Sequence, residues 1–268
     1  MKSSPLLLVL LLSLSACETR VEEDGDAPAT SEIETVEVES PCVPVVFEET
    51  VLTHCTADPA IHAIRMTESD AEGKPYRSFA TYAAARGAAD VPVAFAMNGG
   101  MFDENGHAIG YYVEDGERLQ RLNRAKGPGN FHMLPNGVFF GDASENWQVW
   151  DTERFFTDVD SRPEFGTQSG PMLVLAGELH PAISPEGDSV RIRNGVGVDP
   201  GGRAHFVISE EPVSFGRFAR YFRDVAGTAN ALFLDGTVSQ LWDPAKGRMD
   251  YRADIGPMIV VERRENGE

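Results

Sequence analysis

Apolar residues recur along this chain in short bursts separated by glycine and proline, not in long helical stripes. That is the pattern of many short strands joined by turns. The run 91–97 is apolar throughout, which predicts a strand buried on both faces. Shorter β-rich runs at 111–113, 137–140, 147–150, 172–175, 195–198, 204–208, 231–234 and 258–261 predict further strands. In 61–66 apolar and polar positions alternate, apart from the small Ala63, as in a half-buried strand. Two segments have helical spacing instead. In 78–86, Phe79, Tyr82 and Ala83 share a face. In 215–225, Phe218, Tyr221, Phe222 and Val225 form an aromatic stripe that reads as core, and Gly227 is placed to end the helix. The simplest assembly is an α+β fold: a mixed, mostly antiparallel sheet with a few helices packed on it, in a single domain.

The N-terminus follows a different grammar. Lys2 precedes an unbroken leucine-rich run, 6–12, and then Leu14-Ser15-Ala16-Cys17. This is the layout of an export signal over 1–16, too short to span a bilayer. The cysteine after the small residues resembles a bacterial lipobox, with Cys17 the lipidated residue. Glu18, not Asp, follows it, which favours an outer-membrane anchor facing the periplasm. Residues 18–41 hold nine acids and one arginine with no core-forming period, as expected of a solvated tether. The folded body then spans 42–268. In an exported chain Cys42 and Cys55 are an even pair, expected to form a disulfide. The net charge of −19 and the lack of a basic cluster argue against a nucleic-acid partner. Membrane contact is expected through the lipid alone.

Three segments deliver a strand or its start into a polar, glycine-rich junction: Asn98-Gly99-Gly100, Arg193-Asn194-Gly195 and Asp235-Gly236-Thr237. Glycine there permits a tight turn or close approach of backbone to a ligand, although each junction alone also reads as a hairpin turn. In order along the chain stand Met-Asn-Gly-Gly-Met-Phe at 97–102, Gly-Pro-Gly-Asn-Phe at 127–131 and Pro-Asn-Gly-Val-Phe at 135–139. Gln-Ser-Gly-Pro-Met-Leu at 168–173, Arg-Asn-Gly-Val-Gly-Val at 193–198 and Ala-Leu-Phe-Leu-Asp-Gly at 231–236, followed by Ser239, complete the series. This ordered set resembles the phosphodiester glycosidase family, in its bacterial exported branch. The resemblance implies hydrolysis of a sugar-1-phosphodiester in an envelope or extracellular glycan, on a phosphoglycan or sugar-phosphate substrate. One departure is Thr237-Val238, where the sugar-cleaving branch commonly has two glycines. The alternative is an envelope lipoprotein that binds a glycan in the same cleft without turnover.

The residues can be weighed by their chemistry. Arg193 has the planar fork that binds phosphate bidentately, or else forms a structural ion pair. Asp235, at a strand end, is the first choice for nucleophile or base, or else an Asx-turn residue. Asp103 and Glu104 are candidates for a second carboxylate, or else solvated loop acids. Asn98 would orient sugar or phosphate and completes the expected catalytic set with Asp235 and Arg193. Gly99, Gly100, Asn130, Asn136, Gln168, Ser169, Asn194, Gly236 and Ser239 are the expected substrate contacts. Paired histidines with metal spacing and a complete calcium loop are both missing from the sequence, so neither metal nor cofactor is expected.

Overall fold

The computed structural model describes residues 39–264. The expected leader at 1–16, the lipidation residue Cys17 and nearly all of the acidic tether lie outside them. Three large sheets and a two-stranded ribbon, Val190–Arg191 with Val213–Ser214, make up the body. The largest has seven strands in the order Cys42–Phe47, Thr50–Ala57, Ala204–Ser209, Asn194–Val198, Asn230–Phe233, Met172–Leu175, Glu178–Leu179. The second runs Arg248–Met249, Leu241–Asp243, Val93–Asn98, Met258–Arg263, His62–Thr67. The third runs Glu117–Gln120, Tyr112–Glu114, Phe165–Ser169, Gly137–Gly141, Trp147–Asp151. Every ladder among the described residues is antiparallel. With three short α-helices added, the fold is α+β.

The sheets share one core. Phe206 of the first sheet stacks edge-on with Phe95 of the second at 5.3 Å and with Phe139 of the third at 5.7 Å. Met66, Met97, Tyr112, Val196 and Leu232 pack in the same cluster. The outward face of each sheet is covered by a helix of its own. Phe215–Arg220 and the turn after it cover Val207, Ala231 and Phe233. Phe79–Ala85 buries Phe79 near Ala96 and Val260. Thr152–Asp158 buries Phe155 against Val113, Val138 and Phe140. A strand between a shared core and its own helix has no wet face, which explains the near-continuous apolar runs.

Two helix expectations are refined. Ser78 caps the first helix by accepting from Thr81 N, so the helix proper begins at Phe79. The second is α-helical only to Arg220, and Tyr221–Val225 form a π turn in which Ala226 N donates to Tyr221 O at 3.0 Å. The wider turn advances the buried face by one position. Ala226 takes the core place expected of Val225, and Val225 is 53% exposed. The alternation at 61–66 also resolves in phase. His62, Ile64 and Met66 point inward, and Ile61, one residue before the strand, is exposed.

Cys42 and Cys55 sit opposite one another in the first hairpin and form the expected disulfide, 13 positions apart. Among the described residues no helix is long and apolar enough to cross a membrane.

Candidate active site

The glycine-rich junctions meet at the ends of strands from two sheets. Asn98 closes Val93–Asn98 and Asn194 opens Asn194–Val198. Asn194 Nδ2 donates to Asn98 Oδ1 at 2.9 Å and to Asn98 O at 3.1 Å. Asn98 Oδ1 also accepts from Gln240 N at 2.9 Å, and Asn98 Nδ2 donates to Asp235 O at 2.9 Å. The Ser239 hydroxyl donates to Asn194 Oδ1 and to Gly236 O, each at 3.1 Å. Asp235 N in turn donates to Gly99 O at 3.1 Å. Asn98, Asn194, Ser239 and Gln240 are all buried. This closed network clamps the turn Gly236–Val238 to both sheets, so the side chain of Asn98 is taken up in holding the turn, and it does not line the cavity that opens beside it.

Asp235 caps that turn. Its Oδ1 accepts from Thr237 N at 3.2 Å, an Asx-turn bond. Burial pushes its carboxyl above the ordinary carboxylate range, and the bonds from Thr237 oppose the rise. Val238, one of the two residues standing in place of glycine, is buried beside Phe79, Ile255 and Met258. Its side chain fixes the turn by packing where glycines would leave it supple.

Beside the turn opens a cavity of about 460 Å³. Arg193, Phe215, Phe233, Gly236, Thr237 and Ser239 line it, as do Asn130, Ser189, Ile192, Arg191 and Arg252. Arg193 is 2% exposed. Its Nε donates to Val213 O and its Nη2 to Ser189 O, both at 2.8 Å, and its guanidinium lies 3.5 Å from the centroid of the Phe215 ring. It makes no ion pair among the described residues, so the structural salt-bridge reading of this residue does not hold. Burial, and then the charge of Arg191, pull the guanidinium down to about 10, still protonated at neutral pH. A buried cation without a counter-charge is costly to keep unless an anion joins it.

The other expected contacts divide. Asn130, Gly236 and Ser239 line the cavity. Gly99 and Gly100 are packed tight instead, because a side chain at Gly100 would overlap Gln168 O. Asn136 Nδ2 donates to Phe131 O, and its Oδ1 accepts from Thr152. Gln168 Oε1 accepts from Tyr111 N and Asn123 N, and its Nε2 donates to Asn123 O and Thr152 Oγ1. Both side chains are spent holding loops together and neither lines the cavity. Ser169 is buried with its hydroxyl unpartnered, also away from the lining. Asp103 does not approach Asp235. The loop 103–107 folds on itself, with Asp103 Oδ1 accepting from Asn105 N and His107 N, and Asp103 lines a separate acidic cavity with Glu68 and Glu114. Glu104 is exposed in the same loop. Sequence reasoning missed Arg191 and Arg252, whose isolated positions carry no motif. Among the described residues no cluster of three or more His, Cys, Asp or Glu is arranged to hold a metal ion.

An α+β body built on three large sheets, with a cationic hollow at its convergent strand ends, defines a class, and comparison places the chain within it. The family description "phosphodiester glycosidase" matches residues 92–261, and the chain belongs to that family. A curated relative, the uncharacterized protein YigE of Escherichia coli, is 37% identical over 172 residues, 64% of this chain. The match spans 66% of the relative's own length, a little under two thirds. The catalytic domain of zebrafish N-acetylglucosamine-1-phosphodiester alpha-N-acetylglucosaminidase, auto-inhibited by its pro-peptide, superposes with a TM-score of 0.57 at 13% identity. That superposition covers 83% of this chain and 82% of that one. A putative exported protein of Burkholderia pseudomallei gives 0.51 at 11% identity, over 80% and 74%. Both structures share the fold.

Proposed function

We propose that the chain hydrolyses a sugar-1-phosphodiester at the cavity beside Asp235. The observation that carries the reading is Arg193, a buried guanidinium lining an open hollow without a carboxylate partner among the described residues. Arg193 grips the phosphate oxygens, and the polar lining from Asn130, Thr237 and Ser239 addresses sugar hydroxyls. Asp235 serves as nucleophile or as base for water at the anomeric carbon, the C–O bond breaks, and a phosphomonoester departs. Asp235 itself stands just outside the lining, next to Gly236, and the lining holds no acid. No second acid is demanded by a phosphate leaving group, whose second pKa is about 6. An ordinary glycosidase must instead protonate a sugar alkoxide. Arg193 stabilises the charge that develops as the phosphate leaves.

The export-signal and lipobox pattern supports the cell envelope as the place of action, the chain held by lipid on Cys17, with an envelope or extracellular phosphoglycan as substrate. A Cys17→Ser chain released from the membrane fraction supports the anchor; one that stays membrane-bound refutes it. For the reaction, the purified protein is incubated with a panel of sugar-1-phosphodiesters and reducing sugar is measured. Turnover that disappears in Asp235→Asn and Arg193→Met, with both variants folded, supports hydrolysis. Binding to the same compounds without turnover transfers the cavity to a non-catalytic glycan receptor, a reading favoured by the anchored Thr237-Val238 turn.

A further inference from the structure

The sign of the charges around the cavity runs against the net charge of the chain. The chain has 42 acids and 23 Lys and Arg. Yet the cavity lining holds three arginines, Arg191, Arg193 and Arg252, and not one acid. Only Arg193 is buried; Arg191 and Arg252 are exposed, placing them at the rim. Arg191 Nη1 donates to Val190 O at 2.7 Å, and neither rim arginine makes an ion pair among the described residues. A single phosphodiester carries one negative charge, which Arg193 alone can meet. Two further arginines held free of carboxylates in an acidic protein are surplus to that need.

Resting on the hydrolase reading, we propose that the substrate carries a second phosphate on its acceptor side. Arg193 receives the scissile phosphodiester at the cavity floor, and Arg191 and Arg252 receive the second phosphate at the mouth. Such a substrate is a repeating sugar phosphate or an acceptor that is itself phosphorylated. The rim is not a general anion trap. The net negative charge of the chain disfavours polyanions in general, and the arginine rim selects those that present two phosphates at the cavity's own spacing. Each exposed contact is screened by solvent, and two arginines converging on one phosphate correspond together to about tenfold in affinity.

The test compares two ligands on the full chain by equilibrium calorimetry, with turnover followed in parallel. One is a sugar 1-phosphate esterified to methanol; the other is the same sugar 1-phosphate esterified to glycerol 3-phosphate. The second is expected to bind about tenfold tighter. That ratio is expected to collapse towards one in the Arg191→Gln/Arg252→Gln double variant, whose changes fall on exposed residues. It should persist in Arg154→Gln, whose partner is Asp158 on the distant 152–158 helix. A ratio near one in the native chain overturns the proposal, as does a ratio the double variant leaves intact. If neither ligand is turned over, the hydrolase reading fails, and the binding ratio still decides the second-phosphate site.

Discussion

Asn194 Nδ2 donates to Asn98 Oδ1 across 96 positions of sequence, tying the start of a strand in one sheet to the end of a strand in another. Both side chains are buried, so a lost partner leaves polar atoms stranded without water. Asn194→Ala is expected to cost roughly 2–4 kcal/mol, because it strips a donor from Asn98 and an acceptor from Ser239 at once. Urea unfolding would register this as a lower midpoint at unchanged slope. A midpoint equal to the native one would show that the network does not hold the sheets together.

Arg193 separates stability from activity. Its removal deletes two backbone bonds and the stacking on Phe215, and also relieves an uncompensated buried charge. Arg193→Met should therefore shift stability by no more than about 1 kcal/mol in either direction, the two effects offsetting. Its kcat/KM should fall by roughly a hundredfold or more, as expected for a donor aimed at developing charge. Thermal unfolding and steady-state kinetics on one preparation give both numbers. A large stability loss with modest kinetic loss would make this arginine a structural post.

Acid sensitivity should trace to a buried chain of side chains. Asp199 Oδ2 meets His205 Nε2 at 3.1 Å, His205 Nδ1 meets His54 Nε2 at 2.9 Å, and His54 Nδ1 meets the Tyr221 hydroxyl at 2.9 Å. Burial, then the charge of His205, pull the His54 imidazole down to about 4 from an ordinary 6.5. The folded state thus refuses a proton that the unfolded chain accepts below pH 6.5. The contribution of His54 is whole above pH 6.5, is lost progressively as pH falls toward 4, and levels off below that, amounting to roughly 3 kcal/mol. His54→Gln should flatten the decline between pH 6.5 and 4 relative to the native protein in denaturant titrations. Parallel curves would assign the acid loss to the carboxylates instead.

The Cys42–Cys55 bridge closes a loop of 13 positions, worth about 3 kcal/mol by chain entropy. Reduction, or Cys42→Ser with Cys55→Ser, should lower the unfolding temperature by several degrees. An unfolding temperature insensitive to dithiothreitol would mean the hairpin is held by its ladder alone.

Much of the architecture was readable because burial on both faces leaves a continuous apolar run, as at Val93–Asn98 and Met258–Arg263. Alternation also revealed His62–Thr67, but several strands with neither mark were lost. Cys42–Phe47 is an edge strand with exposed Val43 and Val46, and Phe165–Ser169 is a buried strand that holds Gly, Thr, Gln and Ser. The displacement of Val225 by Ala226 depends on a π turn, which helical spacing cannot anticipate. At the site, the glycine junctions and Arg193 announced themselves through local pattern. The roles of Asn136 and Gln168 did not, since their partners lie on loops brought near only by folding. Arg191 and Arg252 stand 61 positions apart and share a cavity without sharing any motif.

Phe233 lies beneath both halves of the site. Its ring would be struck by any side chain added at Gly236, and the same ring sits 5.5 Å from the Arg193 guanidinium. The loop that carries Asp235 and the seat of the cation are therefore geared through one aromatic plate. On the proposed reading, an engineer who reshapes the turn to admit a bulkier sugar will disturb the grip on phosphate in the same stroke, so selectivity for the sugar and hold on the anion would not be tuned separately.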